Sequence, residues 1–223
     1  KNYAIDVEVG VLEITQRELT IHTSNDEKVY DGKALSNIDF TLDSGSLVNG
    51  HAIETVNTPS ITDAGTIDNA LEMIVVNAEG DDITSNYAID YTYGTLQIHK
   101  RTLTVETASE IQTYDGTPLE NKTFEIIEEG TLVSTHTLQV SDSKAITNVG
   151  AIDNTLELTV LDEEGLNVTN NYAIEYDVGE LEITPRPMNA ELASEQRTYN
   201  GEELINAGFD ISENALVSGH EVT

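Results

Sequence analysis

The stretch NYAIDYTYGTLQIHKRTLTV, residues 86–105, alternates apolar and polar side chains almost without a break. Tyr87, Ile89, Tyr91 and Tyr93 share one phase, and Ala88, Asp90 and Thr92 share the other. A period of two marks a half-buried strand, because successive β side chains point to opposite faces. Gly94 follows, and then a second alternating run, TLQIH. Strand, glycine, strand predicts a hairpin. RTLTV then begins with no Gly/Ser spacer, so one strand-forming segment leads straight into the next.

The same pattern opens the chain as NYAIDVEVGVLEIT and returns as NYAIEYDVGELEIT after Asn170. Its tyrosines, Tyr3, Tyr87 and Tyr172, lie 84 and 85 residues apart. Tyr30, Tyr114 and Tyr199 keep those spacings, as do Phe40, Phe124 and Phe209, which are all the Phe of the chain. His51, His136 and His220 recur at 85 and 84, which places a one-residue insertion between Phe124 and Leu132. A unit this long can bury a core of its own, unlike a short solenoid repeat. The expected organisation is two complete β repeats, 17–100 and 101–185. Residues 1–16 read as the C-terminal hairpin of an incomplete repeat, and 186–223 as the N-terminal part of a further one. Such a chain reads as a window on a longer tandem array.

β-branched residues dominate the apolar positions, and no window has a convincing helical period. In ITDAGTIDNALEMIVV a short helix competes with strand, but the copy ITNVGAIDNTLELTV puts Thr155 and Thr159 there and favours strand. The fold class expected is all-β: small β-sandwich domains, Ig-like or a related two-sheet type, arranged end to end. At the first junction Leu12 and Ile14 hold one phase and Leu19 and Ile21 the other, so the inward face switches at Gln16–Arg17. Pro185 and Pro187 stiffen the third junction. The array reads as stiff.

VYDG at Tyr30–Gly32 invites a catalytic or metal-binding reading of Asp31, but its copies are TYDG, with Asp115, and TYNG, with Asn200. An amide has neither a titratable proton nor a charge, whereas Asp and Asn both serve a tight turn and Gly supplies positive φ. A turn is expected. Catalytic signatures are missing, including a nucleophile elbow, a phosphate-binding glycine loop and paired zinc histidines. No enzyme, and no catalytic, cofactor or metal residue, is expected. The one His per copy has no second nitrogen or thiolate ligand and suits structural hydrogen bonding, with pH sensing the lesser reading. Calcium is the one cofactor to weigh, at the acidic turns NAEGDDIT and DEEGLNVT, where Glu79 aligns with Glu164, Gly80 with Gly165, and Asp82 with Asn167. Six or more oxygen ligands are needed, the carboxylates are few, and one becomes an amide, so a polar hairpin turn is the expected role. Asn121 and Asn167 head NKT and NVT, which fit a glycosylation acceptor too short to be specific.

The formal net charge is −31, from 41 acidic and 10 basic residues, and the acids are interleaved with apolar positions at strand period. That describes a solvated outer face. Nucleic acid is excluded as a partner for want of a basic patch, and membrane contact by this segment is disfavoured on the same ground. Zero cysteines exclude disulfides and thiolate metal sites.

The order YDG…L, GH, TDAGTIDN and ITSNYAIDYTYGTLQIHKRTLTV resembles the YDG-type (MBG-like) repeats of bacterial surface adhesins. The likeness covers both complete repeats and both fragments, and NYAI through KRTLTV is its most specific part. It implies tandem β domains in a large extracellular bacterial surface protein, secreted or wall-anchored, usually forming a stalk between anchor and adhesive head. The partners implied are neighbouring repeats of the same chain, with any host or matrix ligand left to other domains. The alternative is that the repeats themselves bind a glycan or a host protein. Absence of Trp, and Tyr on inward phases, favour the stalk.

Overall fold

The computed structural model describes residues 2–127, 131–212 and 215–222. The interval Phe124–Leu132, where the one-residue insertion is expected, includes 128–130, which lie outside the described residues. The chain divides into two compact units, Lys1–Arg101 with Asn170–Tyr172, and Thr102–Thr169 with Ala173–Thr223.

The first unit is built from eight strands: β1 (Arg17–Thr23), β2 (Asp26–Val29), β3 (Phe40–Gly45), β4 (Ala52–Asn57), β5 (Gly65–Asp68), β6 (Glu72–Val76), β7 (Tyr87–Thr92) and β8 (Thr95–His99). They form three small sheets, in the orders β3-β1-β7, β2-β8-β5 and β4-β6. A second set of eight strands repeats the plan with β9 (Arg101–Thr107), β10 (Glu110–Thr113), β11 (Phe124–Ile126), β12 (Thr137–Ser143), β13 (Gly150–Asp153), β14 (Leu156–Leu161), β15 (Tyr172–Asp177) and β16 (Glu180–Thr184). Its sheets are β11-β9-β15, β10-β16-β13 and β12-β14, the same orders shifted by eight strands. The fold is all-β and sandwich-like, and the uncertain ITDAGTIDNALEMIVV segment is strand at β5 and β6. Two single-turn 3₁₀ segments, Thr84–Asn86 and Thr169–Asn171, are the helical residues among those described.

Alternation puts the core where the sequence pattern expects it. Leu19 and Ile21 of β1, Tyr87 of β7, and Met73 and Val75 of β6 are buried, with Ile53 of β4 and Ile89 of β7 packed on them. Sheet β3-β1-β7 therefore closes face to face on β4-β6. In the second unit Leu181 and Ile183 of β16 are buried with Leu119, beside Tyr114, Ile146 and Ile152. Burial of Leu96 and Ile98, then of Leu103 and Val105, shows the inward phase changing between consecutive strands.

One expectation is corrected. β7 and β8 do not pair with each other, so NYAIDYTYGTLQIH is no hairpin. Instead β7 runs parallel beside β1, from Arg17↔Tyr87 to His22↔Thr92, and β8 runs parallel beside β2, from Asp26↔Leu96 to Val29↔His99. Two continuous segments, 17–29 and 87–99, lie side by side and step together from one sheet to the other. A tight two-residue hairpin would need positive φ, and neither Gly94 nor Gly179 has it.

Residues 2–16 hold no strand and are exposed. In the complete repeat the matching strand, β8, draws its hydrogen bonds from β2 and β5. Those partners lie upstream of β8 in sequence. In the third copy one antiparallel pair forms, β17 (Ala190–Leu192) with β18 (Phe209–Ile211), in the register Leu192↔Phe209 that matches Thr23↔Phe40 and Thr107↔Phe124.

Candidate functional site

Recurring polar constructions occupy the positions that the sequence singled out, beginning with the YDG turns. Gly32, Gly116 and Gly201 take φ of 77°, 84° and 80°. In each copy the preceding side-chain oxygen accepts the amide two residues on: Asp31 from Lys33 at 3.0 Å, Asp115 from Thr117 at 2.8 Å, and Asn200 from Glu202 at 3.1 Å. This is an Asx turn, which an amide completes as well as a carboxylate does. Hydrogen bonding from the Lys28 ammonium holds Asp31 below the ordinary carboxylate range despite some desolvation. The Thr117 hydroxyl does the same for Asp115.

A recurring brace was not read from the sequence. Lys28 Nζ reaches Asp31 Oδ1 and the Lys33 carbonyl at 2.6 Å each. Gln112 Nε2 donates to Asp115 Oδ1 at 2.9 Å, and Arg197 Nη2 to the carbonyls of Glu202 and Glu203 at 2.6 and 2.8 Å. The signal was present, since all three stand three residues before the Asp or Asn and are long side chains with N–H donors.

The recurring His precedes β4 and β12, and in the first repeat it closes a cap. His51 Nδ1 lies 2.6 Å from the Tyr87 hydroxyl, and Val48 N–H donates to that hydroxyl at 3.2 Å. His136 and Tyr172, at the equivalent positions, are buried. Structural hydrogen bonding accounts for His51 directly.

In the acidic turns, side-chain oxygens of Asn77, Asp82, Asp162 and Asn167 accept from the turns' own backbone. Asn77 Oδ1 accepts from the amides of Glu79 and Asp81, and Asp162 Oδ1 from those of Glu164 and Leu166. Gly80 and Gly165 take φ of 85° and 80°. Asp82 accepts from both the hydroxyl and the amide of Thr84, the hydroxyl chiefly lowering its pKa, and Asn167 accepts from the Thr169 amide. Among the described residues no three His, Asp or Glu side chains converge on one point. The acceptor-like Asn121 has a turn of its own, taking the Thr123 amide at 2.8 Å as Asn37 takes that of Asp39 and Asn206 that of Gly208.

A further construction, a clasp at the step between sheets, escaped the sequence reading. Thr23 Oγ1 donates to the Asn69 carbonyl at 2.8 Å and accepts the Gly94 amide at 2.9 Å, and Asn69 Nδ2 donates to the Ser24 carbonyl. Thr107, Asn154, Gly179 and Ala108 repeat every contact. A Cβ on Gly94 would sit 2.4 Å from the Thr23 carbonyl oxygen, and one on Gly179 at 2.4 Å from that of Thr107. These glycines serve close approach, not left-handed φ. Beside the second clasp is an open groove of about 460 Å³, with Glu106, Thr107, Phe124, Asp177 and Val178 on its walls. In the first repeat the equivalent of Val178 is Tyr93, an exposed ring stacked on Tyr91 with centroids 5.7 Å apart. Burial, and then the neighbouring Tyr93, push the Tyr91 hydroxyl above its usual pKa.

No family model matches the chain, and no curated protein matches it.

Proposed function

We propose that the chain is a segment of the stalk of a large bacterial surface protein, holding an adhesive head away from the cell. The observation that carries this reading is the direction of the ladder linking the ends of a repeat. The chain enters at Arg17, opposite Tyr87, and leaves at His99, opposite Val29, so the first and last segments run parallel. Tension between the two ends then shears the whole ladder at once instead of opening it bond by bond. Forced unfolding is governed by the unfolding barrier, and in shear many ladder bonds must break in the same step to cross it. Only Lys100 separates β8 from β9, leaving little slack for extension before the sheets bear load. A net charge of −31 would keep neighbouring stalks apart.

Pulling single molecules from their ends tests the reading. Each complete repeat should unfold in one event, and the 84 residues of the first and 85 of the second, at about 3.5 Å each, should release roughly 290–300 Å less the folded length. Smooth extension with no force peak would remove the mechanical role.

A second reading, a glycan-binding module, is favoured by one observation, the stacked and partly exposed Tyr91–Tyr93 pair. Sugar rings stack on exposed aromatic faces. Titration with oligosaccharides should then perturb tyrosine fluorescence in the unaltered chain and not in Tyr93→Ala; no change in either leaves the stalk alone.

A further inference from the structure

Equivalent side chains in the three copies are unequally covered, and the coverage follows a rule. Tyr30 is 3 % exposed, and inside the first unit it meets Tyr172 edge-on, with centroids 5.6 Å apart. Tyr114 faces the His220 ring at 5.9 Å inside the second unit. There the turn and the third copy are so close that a Cβ on Gly116 would lie 2.8 Å from Val217 Cγ1. Tyr199, in the third turn, is 92 % exposed, and nothing lies within 4 Å of the space a Cβ on Gly201 would take.

The covering residues are themselves one recurring set. His220 is the copy of His51, Val217 of Val48, and Tyr172 of Tyr87. Within the first repeat Val48, His51 and Tyr87 already form a single cap through the Tyr87 hydroxyl. Each covered YDG turn thus meets a piece of this cap contributed by the following copy in sequence. A polar contact flanks it: Asn171 is 3 % exposed, donates to Asp63 Oδ1 at 2.9 Å and accepts the Ala64 amide at 2.7 Å. Its equivalent, Asn86, is exposed. The Leu35–Ile61 bridge ties the Asp63–Ala64 loop to the YDG turn, so aromatic and amide contacts belong to one surface.

We propose that the YDG turn with its neighbouring TDAG-type loop is a docking surface for another copy of the same repeat, and that the Val–His–Tyr cap and the Asn beside it are what docks. The motif is a socket as well as a turn. Two requirements of different kinds are met by one stretch: the Asp or Asn and Gly shape the turn, while the Tyr, which the turn geometry does not need, makes the contact. The proposal is independent of the stalk reading, since an array with any role could be joined this way.

NMR of the whole chain tests it. In the unaltered protein the Val217 methyls and His220 ring protons should be shifted by the Tyr114 ring current, and the Tyr199 ring should behave as a free tyrosine. Tyr114→Ala should return the Val217 and His220 signals to ordinary positions, and Tyr199→Ala should leave them unmoved. Val217→Asp approaches the contact from the other side: Tyr114 signals should move while those of Leu103, Leu181 and Ile183 stay, which guards against unfolding of the second repeat. Unchanged Val217 and His220 signals in Tyr114→Ala, or identical environments for Tyr114 and Tyr199 in the unaltered chain, would overturn the proposal. Loss of the stalk role in pulling experiments would leave it standing.

Discussion

Residues 2–15 and 86–99 spell nearly the same pattern, yet only the second is folded into sheets. Leu12 is fully exposed, at 101 %, while Leu96 and Leu181, its counterparts, are at 0 %. Ile14 is likewise exposed where Ile98 and Ile183 are buried. Alternation therefore states which face a strand would bury and does not create the burial. The ladder for 87–99 comes from residues 17–29, about seventy positions upstream, through parallel pairing. A hairpin could have closed locally at 2–15, but these repeats do not use one. Parallel neighbours must come from far along the chain.

The largest test of this comparison is a pair of core truncations. Leu96→Ala should cost about 2–5 kcal/mol, the range for a fully buried leucine in a core that relaxes only partly. Leu12→Ala, in the same sequence context, should change stability by less than about 0.5 kcal/mol. Denaturant unfolding of both variants measures the contrast. A substantial loss from Leu12→Ala would mean that residues 2–15 are ordered against something in solution, and the contrast would fail.

A glycine pair sharpens the same contrast at smaller scale. Gly179→Ala drives a methyl against the Thr107 carbonyl oxygen, 2.4 Å away, and against Ala108 backbone at 2.6 Å. Backbone cannot rotate aside as a side chain would, so a loss of about 3 kcal/mol is expected, the upper part of the usual cost of overpacking. Gly10 occupies the same place in the pattern with nothing within 4 Å, and Gly10→Ala should be neutral in the same unfolding assay. Equal effects would mean that the close approach at the sheet crossing does not hold in solution.

What the sequence disclosed follows from what pattern can encode. Period two disclosed the strands and their inward faces, as at Tyr87, Ile89 and Leu96. The exchange of Asp115 for Asn200 disclosed the turn, because a role that survives loss of charge is a backbone role. Pairing partners were hidden, since Gly94 reads equally as a hairpin turn and as a point where two segments cross; only the Thr23 carbonyl beside it separates them. Thr23 and Asn69 were hidden for a related reason. Each is an ordinary polar residue in sequence, and their clasp joins positions 46 apart. The brace at Lys28, Gln112 and Arg197 was legible in principle but depends on comparing donors across different residue types.

The smallest effect expected is at the turn itself, where the third copy has already made the substitution. Asp115→Asn keeps an Oδ1 to accept the Thr117 amide, as Asn200 does for Glu202. The unfolding midpoint at neutral pH should therefore scarcely move. Acid should separate the two proteins. Hydrogen bonds, chiefly from the Thr117 hydroxyl, lower the folded-state pKa of Asp115 below its ordinary 3.8. A depressed carboxylate pKa stabilises the fold above the unfolded-state value, and that contribution is lost as pH falls through the folded-state value. Unaltered protein should thus lose stability relative to Asp115→Asn as pH drops below 3.8, and the two denaturation curves should converge on raising it. Full exposure of the carboxyl keeps the difference small. If Asp115→Asn instead shifts the neutral midpoint as far as Gly179→Ala does, the charge of Asp115 has a role that Asn200 cannot fill, and the three turns are not equivalent.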